Sequence, residues 1–461
     1  MNTHTENDQK HFISRFRRSI SPGPIIPRTD KERKSAVINF FALHIHPPTV
    51  PETVLRFTHT FGLGGMALVL ILIQFGTGIL LKFAFEPTPM TAYASIQSLQ
   101  TKTPFGQLIR NLHHWSASLL VMIIFLHMLR VYFTGAFHSP RQFNWIIGWA
   151  IFACVLAANF TGYLLPYDQL AYWAVMVSTG MLGYIPVIGP TLQSFFLGGA
   201  DVGPATMRIF FAFHTALLPV IVLILAGFHF WRVRKAGGVV VPRASLAEIS
   251  DNNQVRVPVL PNLLMRETVT ALVLIAGILA FSVFFNATLG DPANPGLSPN
   301  PTKAPWYFAG FQELLLHIHP AFSVFVIPLA ITLFLMLAPY INFDDNSEGV
   351  WFVSPKGRRM AIISGVLSVL LTLVLILIDD YAATGIKILN SIPPEISQGA
   401  LPTFILMIGM GLFYRLMKSR FSATNNEAVQ SVFVFIMTAL IVLTIVGAVF
   451  RGKDMALSLP W

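Results

Sequence analysis

Long apolar segments recur along the chain and are separated by shorter polar stretches. Each is close to the ~20 residues that an α-helix needs to cross the hydrocarbon core of a membrane, although the eighth is marginal in length. The pattern predicts an all-α polytopic membrane protein, in which a block of four helices is followed by four to five more. The segments cover 61–84, 112–134, 145–165, 209–231, 267–287, 321–341, 360–379, 401–417 and 430–450.

Two stretches between these segments, Asp168 to Gly203 and Gly290 to Pro320, are less apolar and contain several prolines. Proline interrupts regular helices, so we expect short amphipathic helices at the membrane surface there. The segment 237–261 is polar and has the composition of a linker. We therefore divide the chain into an N-terminal segment (1–58), a four-helix unit (59–236), a linker (237–261), a second helical unit (262–380) and a C-terminal extension (381–461).

Composition supports the membrane class, because 54% of the 461 residues are hydrophobic and only 11% are charged. The net charge of +10 would suggest nucleic-acid binding in a soluble protein. Here the basic residues cluster in loops, which indicates topology instead and leaves no reason to expect a nucleic-acid partner. The polar N-terminal segment lacks the apolar core of a signal peptide. We expect a multi-pass protein of a bacterial-type inner membrane with a cytoplasmic N-terminus.

The chain contains one cysteine, Cys154, which lies inside an apolar segment. One thiol cannot form an intramolecular disulfide, a four-cysteine iron–sulfur site or a pair of thioether links to haem. Any redox group held by this chain alone therefore needs other ligands.

Histidines lie near both ends of the second and fourth apolar segments. At about 100° per residue, His113 and His127 fall about 40° from alignment on one helix face, whereas His114 falls on another face. His214 and His229 are about 60° from alignment and also share a side. Within each helix the two imidazoles are separated by about 21–22 Å. The four histidines therefore predict two sites at opposite depths, with one imidazole from each helix.

Two imidazoles per site favour haem iron, which needs only two axial ligands, over zinc, which would need two more. Arg110 and Arg130 each lie about one turn from a histidine and could bind haem propionates through charge-assisted hydrogen bonds. Gly64 and Gly78 on the first helix would leave room for a macrocycle. The sequence predicts two non-covalent haem groups with bis-histidine ligation.

Two other classes of protein also place histidines inside a membrane. A proton-coupled transporter uses them as a proton relay and carries no visible chromophore. A dihaem membrane anchor of a dehydrogenase or hydrogenase has one quinone site and does not split the two electrons of quinol. A difference spectrum tests the first alternative, and co-purification of an iron–sulfur protein tests the second.

Several motifs between about His46 and Lys235 resemble the cytochrome b family of Rieske-type bc complexes, and specifically its cytochrome b6 branch. They are HHWSAS, LHMLRVYFTGAFHSPRQFNW, TGYLLPYDQLAYWAV and PVIGP. Residues 262 to about 380 resemble the separate subunit IV of b6f complexes, fused here into one chain. Residues 381–461 have no counterpart in that comparison. The resemblance implies that His113 and His214 ligate an outer haem b, and that His127 and His229 ligate an inner one.

The resemblance further implies bifurcated oxidation of quinol from the membrane quinone pool. The implied partners are a Rieske iron–sulfur protein and a c-type cytochrome or similar acceptor, in a homodimeric complex. Quinone would be reduced on the inner side near Arg234, with Arg266 and Glu267 as weaker candidates. The implied outer quinol site comprises Tyr172, Trp173, Ala174, Ile188, Pro305, Trp306 and Tyr307.

Two departures from the family pattern change these expectations. The family's outer site carries an acid before Trp-Tyr, but that position here is Pro305, which cannot accept a proton. We expect Glu313 to replace it as a catalytic residue beside Tyr307. The b6f cysteine that binds an extra haem corresponds to Gly62, so we predict no covalent haem.

Overall fold

The structure, a computed structural model, describes residues 27–39, 45–244, 255–340, 347–381 and 392–459. In these ranges the helices are α1 (Asp30–Asn39), α2 (Phe57–Thr60), α3 (Leu63–Lys82), α4 (Ala92–Lys102), α5 (Gly106–Phe133), α6 (Gln142–Leu164), α7 (Gln169–Leu182), α8 (Gly189–Leu197), α9 (Pro204–Lys235), α10 (Val259–Phe284), α11 (Trp306–His317), α12 (Ala321–Tyr340), α13 (Pro355–Tyr381), α14 (Glu395–Arg420) and α15 (Asn425–Phe450).

Nine helices in the described part of the chain are long and apolar enough to cross a membrane. These are α3, α5, α6, α9, α10, α12, α13, α14 and α15. They confirm the predicted all-α class and the four-plus-five arrangement, including the marginal eighth segment. The predicted unit boundaries stay predictions. Parts of four units, residues 1–26, 40–44, 245–254, 341–346, 382–391 and 460–461, lie outside the described residues.

The two proline-containing inserts pack against each other through Asp168. Its Oδ1 accepts a hydrogen bond from Ala171 N at 2.9 Å and caps the start of α7. Such a cap satisfies one of the backbone donors that the first turn of a helix leaves free. Its Oδ2 accepts from Gly290 N at 3.0 Å. The predicted short helices after Asp168 are α7 and α8, and the second insert contributes α11.

The main apolar core lies where α3, α5, α6 and α9 meet, and the C-terminal helix packs into it. Tyr132 of α5 lies with its ring centre 4.2 Å from that of Phe433 of α15. Trp145 of α6 donates from Nε1 to Leu335 O of α12 at 2.6 Å. The helices after the linker therefore share the core of the four-helix unit.

A two-stranded antiparallel sheet joins the N-terminal segment to the end of the linker. Strand β1 (Thr49–Pro51) pairs with β2 (Arg256–Pro258), so that Val50 lies opposite Val257. A small apolar cluster of Val37, Val50 and Val259 covers the sheet. The sheet thereby fixes the start of α10 beside the start of the four-helix unit.

Candidate functional site

The four predicted histidines form two facing pairs inside the bundle. The ring centres of His113 on α5 and His214 on α9 are 6.1 Å apart. Those of His127 and His229 are 6.5 Å apart. Two bonds of about 2 Å from a metal to imidazole nitrogens, with the ring radii added, fit such gaps. Each pair is therefore close enough for both imidazoles to bind one metal.

His214 lies in a π turn, Phe213–Leu217, within α9. A π turn takes one residue more than an α turn, and such turns are frequent at functional sites. The extra residue explains why histidines 15 positions apart on α9 face histidines 14 positions apart on α5. In ideal α-helices the spacings of 14 and 15 residues give different angular offsets. The π turn changes the local rotation of α9, so both of its histidines face α5.

Glycines on α3 leave space directly beside the α5 histidines. A Cβ atom at Gly64 would lie 3.4 Å from Cε1 of His127, and one at Gly78 would lie 3.4 Å from Cε1 of His113. Any larger side chain at these positions would meet the imidazoles. Both glycines therefore lie next to the predicted ligands, and close approach to a macrocycle at these positions stays a prediction.

A second glycine pair, on α6, was not predicted. A Cβ atom at Gly148 would lie 3.8 Å from Cε1 of His229, and one at Gly162 would lie 2.5 Å from Cε1 of His214. These two glycines are again 14 residues apart, a repeat that a search for matched spacings would have found. Glycines therefore lie beside all four imidazoles, as a broad planar ring such as haem would need. A tetrahedral zinc site would need two further ligands, and among the described residues no third metal-ligating side chain groups with either pair.

Hydrogen bonds orient two of the imidazoles. His113 Nδ1 lies 2.8 Å from Thr77 Oγ1, and His214 Nδ1 lies 2.9 Å from Ala158 O. A carbonyl accepts only, so His214 carries its proton on Nδ1 and leaves Nε2 free as a ligand atom. Such partners of the non-ligating nitrogen fix the ring orientation at metal sites.

The two predicted arginines are buried and already have partners. Arg110 donates to Ala287 O at 2.7 Å and to Thr288 O at 2.6 Å. Arg130 donates to His59 O at 3.0 Å, and its Nη2 lies 2.8 Å from His59 Nε2. Burial and the Arg130 charge lower the pKa of His59 to about 4, so this ring is neutral. Propionate binding by either arginine stays a prediction.

A cavity of about 1000 Å³ opens beside the inner histidine pair. Arg266 and Glu267 line it together with His127 and His229, whereas Arg234 is not among its lining residues in the described part of the chain. Glu267 also pairs with His46 at 2.9 Å. The same lining includes Gly64 and Gly148, so part of this cavity is the space of the predicted inner haem. Quinone binding by Arg234, Arg266 or Glu267 stays a prediction.

The residues predicted for an outer quinol site lie on α7 and at the start of α11. The rings of Tyr172 and Trp173 are 5.7 Å apart, as are those of Trp306 and Tyr307. Phe160 of α6 links the two aromatic pairs. It contacts Phe308, the residue after Tyr307, and it belongs to the same apolar cluster as Tyr172 and Trp173. Pro305 precedes α11, Ala174 is half-buried on α7, and Ile188 is 53% exposed before α8.

Glu313 is fully buried and faces the C-terminal extension. Arg451 Nε donates to both of its oxygens, at 3.1 and 3.0 Å, and His317 Nε2 lies 3.2 Å from Oε1. Burial alone would raise the pKa of Glu313, but the hydrogen bonds from His317 and Arg451 outweigh it and leave the pKa lowered. Burial also raises the pKa of Tyr307, so this phenol stays protonated. Sequence reasoning missed Arg451, which lies 138 positions from Glu313.

The helical bundle and its facing histidine pairs define the class of membrane-embedded b-type cytochromes. A family model described as Cytochrome b/b6/petB matches residues 48–237. The chain is 43% identical over 177 residues to cytochrome b6 of Heliomicrobium gestii, covering 38% of this chain and 83% of that protein. It is 42% identical over 192 residues to cytochrome b6 of Heliobacterium modesticaldum, covering 42% and 88%. The chain therefore belongs to the cytochrome b/b6 family, whose members are haem b-binding membrane subunits of quinol-oxidising bc-type complexes.

A solved structure titled hyperthermophilic respiratory Complex III extends the likeness beyond the four-helix unit. Its TM-score is 0.60 at 25% identity, and the match covers 84% of this chain and 91% of that chain. This coverage is larger than residues 48–237, so the shared fold continues into the helices after the linker.

Proposed function

We propose that this chain is the dihaem cytochrome b subunit of a quinol oxidoreductase. It oxidises quinol on the outer side, carries electrons across the membrane and reduces quinone on the inner side, which contributes to a proton gradient. The observation that carries the proposal is the presence of two facing imidazole pairs, 6.1 and 6.5 Å between ring centres. Two such sites, about 21 Å apart along α5, span most of a bilayer core of about 30 Å.

His113 and His214 would hold the outer haem b, and His127 and His229 the inner one. When bound, each haem supplies reversible one-electron chemistry at its site. The protein's own contribution is to orient the imidazoles through Thr77 and Ala158 and to exclude water by burying both sites in the bundle. Moving one charge across the membrane against its potential costs about 2.3 kcal/mol per 100 mV, which is how oxidation energy is stored.

On the outer side, quinol would bind among the α7 and α11 residues named above, with Tyr307 as a protonated hydrogen-bond donor. Glu313 would take one quinol proton in place of the acid that Pro305 replaces. The electron acceptors would be a Rieske iron–sulfur protein and, after it, a c-type cytochrome or similar carrier. The assembly would be a homodimeric complex.

On the inner side, Arg266 and Glu267 would bind quinone in the part of the cavity that the inner haem leaves open, with Arg234 at the end of α9 as the further candidate. Basic residues support a cytoplasmic position for this side and for the N-terminus of a bacterial-type inner-membrane protein. They are Arg232, Arg234 and Lys235 at the end of α9, and Lys418 and Arg420 at the end of α14.

The test is purification of the intact complex, followed by haem quantification, a reduced-minus-oxidised spectrum and a quinol oxidation assay. We expect two haem b per chain, reduction of haem by quinol, and a Rieske protein among the subunits. A chain without a chromophore would point to a transporter, and two haems without a Rieske partner would point to a membrane anchor. A haem-stained denaturing gel should show no covalent band, because Gly62 stands where the b6f cysteine would be.

A further inference from the structure

Five titratable or charged side chains from three segments meet at the end of α11. Glu313 and His317 come from α11, Asp379 and Asp380 from the last turn of α13, and Arg451 from the segment after α15. Neither the haem sites nor the predicted quinone contacts use His317, either aspartate or Arg451.

A continuous line of hydrogen bonds runs through this cluster from the interior to the surface. Glu313 Oε1 lies 3.2 Å from His317 Nε2, and His317 Nδ1 lies 2.7 Å from Asp379 Oδ2. The side chains are 0%, 12% and 44% exposed in that order. An imidazole bonded at both nitrogens can accept a proton on one and release a proton from the other. The geometry therefore connects a buried acid to an exposed one.

Arg451 holds the buried end of this line in place. Its side chain is 2% exposed, donates to both oxygens of Glu313 and donates from Nη1 to Asp380 Oδ2 at 2.7 Å. A buried carboxylate needs such a partner, because an unpaired buried charge costs several kcal/mol. Arg451 is shared between Glu313 and Asp380, so His317 supplies a second contact to Glu313 and continues the hydrogen bonds to the exposed carboxylate of Asp379.

The charges around His317 favour proton uptake by this ring. Glu313 faces it from α11 and Asp379 from α13, and a carboxylate oxygen of Asp380 lies within 4.8 Å of a ring nitrogen. Arg451 Nη2, the one cation among these neighbours, lies 3.5 Å from Nε2. Burial alone lowers the pKa of His317, but its hydrogen bonds to the two carboxylates outweigh burial and raise it. The ring therefore binds a proton more tightly than a free imidazole and still lies next to an acceptor that reaches solvent.

We propose that Glu313, His317 and Asp379 form the outward proton relay of the quinol-oxidising site, and that Arg451 of the C-terminal extension is the positioning residue for Glu313. The proposal rests on the proposed function, which supplies quinol as the proton donor and a one-electron iron–sulfur acceptor for the electron. One proton moves from a quinol hydroxyl to the Glu313 carboxylate and then to Nε2 of His317. The proton on Nδ1 passes to Asp379 and from there to water.

The test compares His317→Gln and Asp379→Asn in the intact complex with two matched controls. His319→Gln changes a histidine two positions away that packs against Tyr184, with ring centres 5.7 Å apart. Glu395→Gln changes an exposed acid in the first turn of α14. We expect kcat for quinol oxidation to fall about 10²-fold in the two relay variants, as for loss of a general base. KM and haem content should be unchanged, and both controls should keep wild-type rates.

The pH profile gives a readout that a purely structural role would not move. In the wild type, kcat should rise with pH as His317 loses its proton, since only the neutral ring accepts the next one. His317→Gln should lose this rise, and added imidazole should restore part of the rate in His317→Ala.

Wild-type kcat and pH profile in both relay variants would overturn the relay while leaving the proposed function intact. A wild-type complex that binds no haem b or does not oxidise quinol would overturn the proposed function first. If His317→Gln fails to assemble, the more exposed Asp379→Asn decides the question, and an unchanged rate in that variant refutes the relay.

Discussion

Gly162 lies so close to His214 that a Cβ atom added to the glycine would be 2.5 Å from Cε1 of the imidazole. Gly162→Ala must therefore displace His214 or separate α6 from α9. We expect loss of the outer haem and a destabilisation of about 1–3 kcal/mol, as for overpacking elsewhere. Haem content and thermal unfolding in detergent measure both effects. Gly227→Ala on α9 is the control, because a Cβ atom there meets nothing within 4 Å.

The two adjacent histidines of α5 should differ sharply in their effect on haem binding. His113→Ala removes a ring that faces His214, and we expect haem b to fall from two to one per chain. His114→Ala removes a ring that packs against Trp115, with ring centres 4.8 Å apart, and should keep both haems. Pyridine haemochrome quantification distinguishes the variants. Equal loss in both would show that the angular argument is wrong.

The ion pair between Arg451 and Glu313 should be costly to break from one side only. Arg451→Met leaves a fully buried carboxylate without its main partner, and we expect a loss of about 3–5 kcal/mol in stability. The double variant Arg451→Met with Glu313→Leu removes both charges and should recover most of that loss. Thermal denaturation of the purified complex provides the comparison. A double variant no more stable than Arg451→Met would contradict the ion-pair account.

The stability of the same cluster should depend on pH in two opposite ways. The pKa of His317 is raised, so its contribution is complete below the ordinary imidazole value and is lost as pH rises through the raised value. The pKa of Glu313 is lowered, so its contribution is complete above the ordinary carboxyl value and is lost as pH falls through the lowered value. Melting temperatures should therefore be highest in mildly acidic buffer. His317→Gln should remove the alkaline decline specific to this cluster, while His319→Gln should retain it.

Residues of the inner cavity should control the return of electrons to quinone. Glu267→Gln removes a carboxylate that lines the cavity and pairs with His46. We expect reoxidation of the inner haem by quinone to slow by about 10²-fold. Arg234→Leu changes a residue outside the cavity lining and should have a smaller effect. Flash or stopped-flow absorption measures the rate, and the reverse order would restore Arg234 as the primary quinone contact.

Hydrophobic length and helical phase predicted much of this molecule. The spanning helices follow from membrane thickness, and the position of His113 and His127 on one face of α5 follows from the repeat of the α-helix. The π turn at His214 does not follow, because its register depends on packing around Phe213–Leu217 rather than on any residue's propensity. The 14-residue spacing of Gly148 and Gly162 is visible in the sequence. Its meaning depends on the packing of α6 against α9, which the sequence does not reveal.

The contact between Glu313 and Arg451 could not be predicted from local sequence patterns. Helices inside a membrane associate through shape and polar contacts, because lipid is as apolar as their side chains. A hydropathy profile therefore does not show which helices pack against each other. The sequence predicts Glu313 as the replacement for the missing acid of the Trp-Tyr motif, but the side chain that pairs with it lies 138 positions away.

Strands β1 and β2 are hydrogen-bonded to each other, and the first four spanning helices, α3, α5, α6 and α9, lie between them along the chain. Paired strands must occupy the same side of a membrane. The polypeptide that leaves β1 must consequently cross an even number of times before it reaches β2, and four crossings satisfy this parity. A chain that skipped one insertion would place β2 on the opposite side, and the sheet could not close. This three-residue ladder can therefore form only when an even number of these helices has crossed, and α10 then begins on the same side of the membrane as β1.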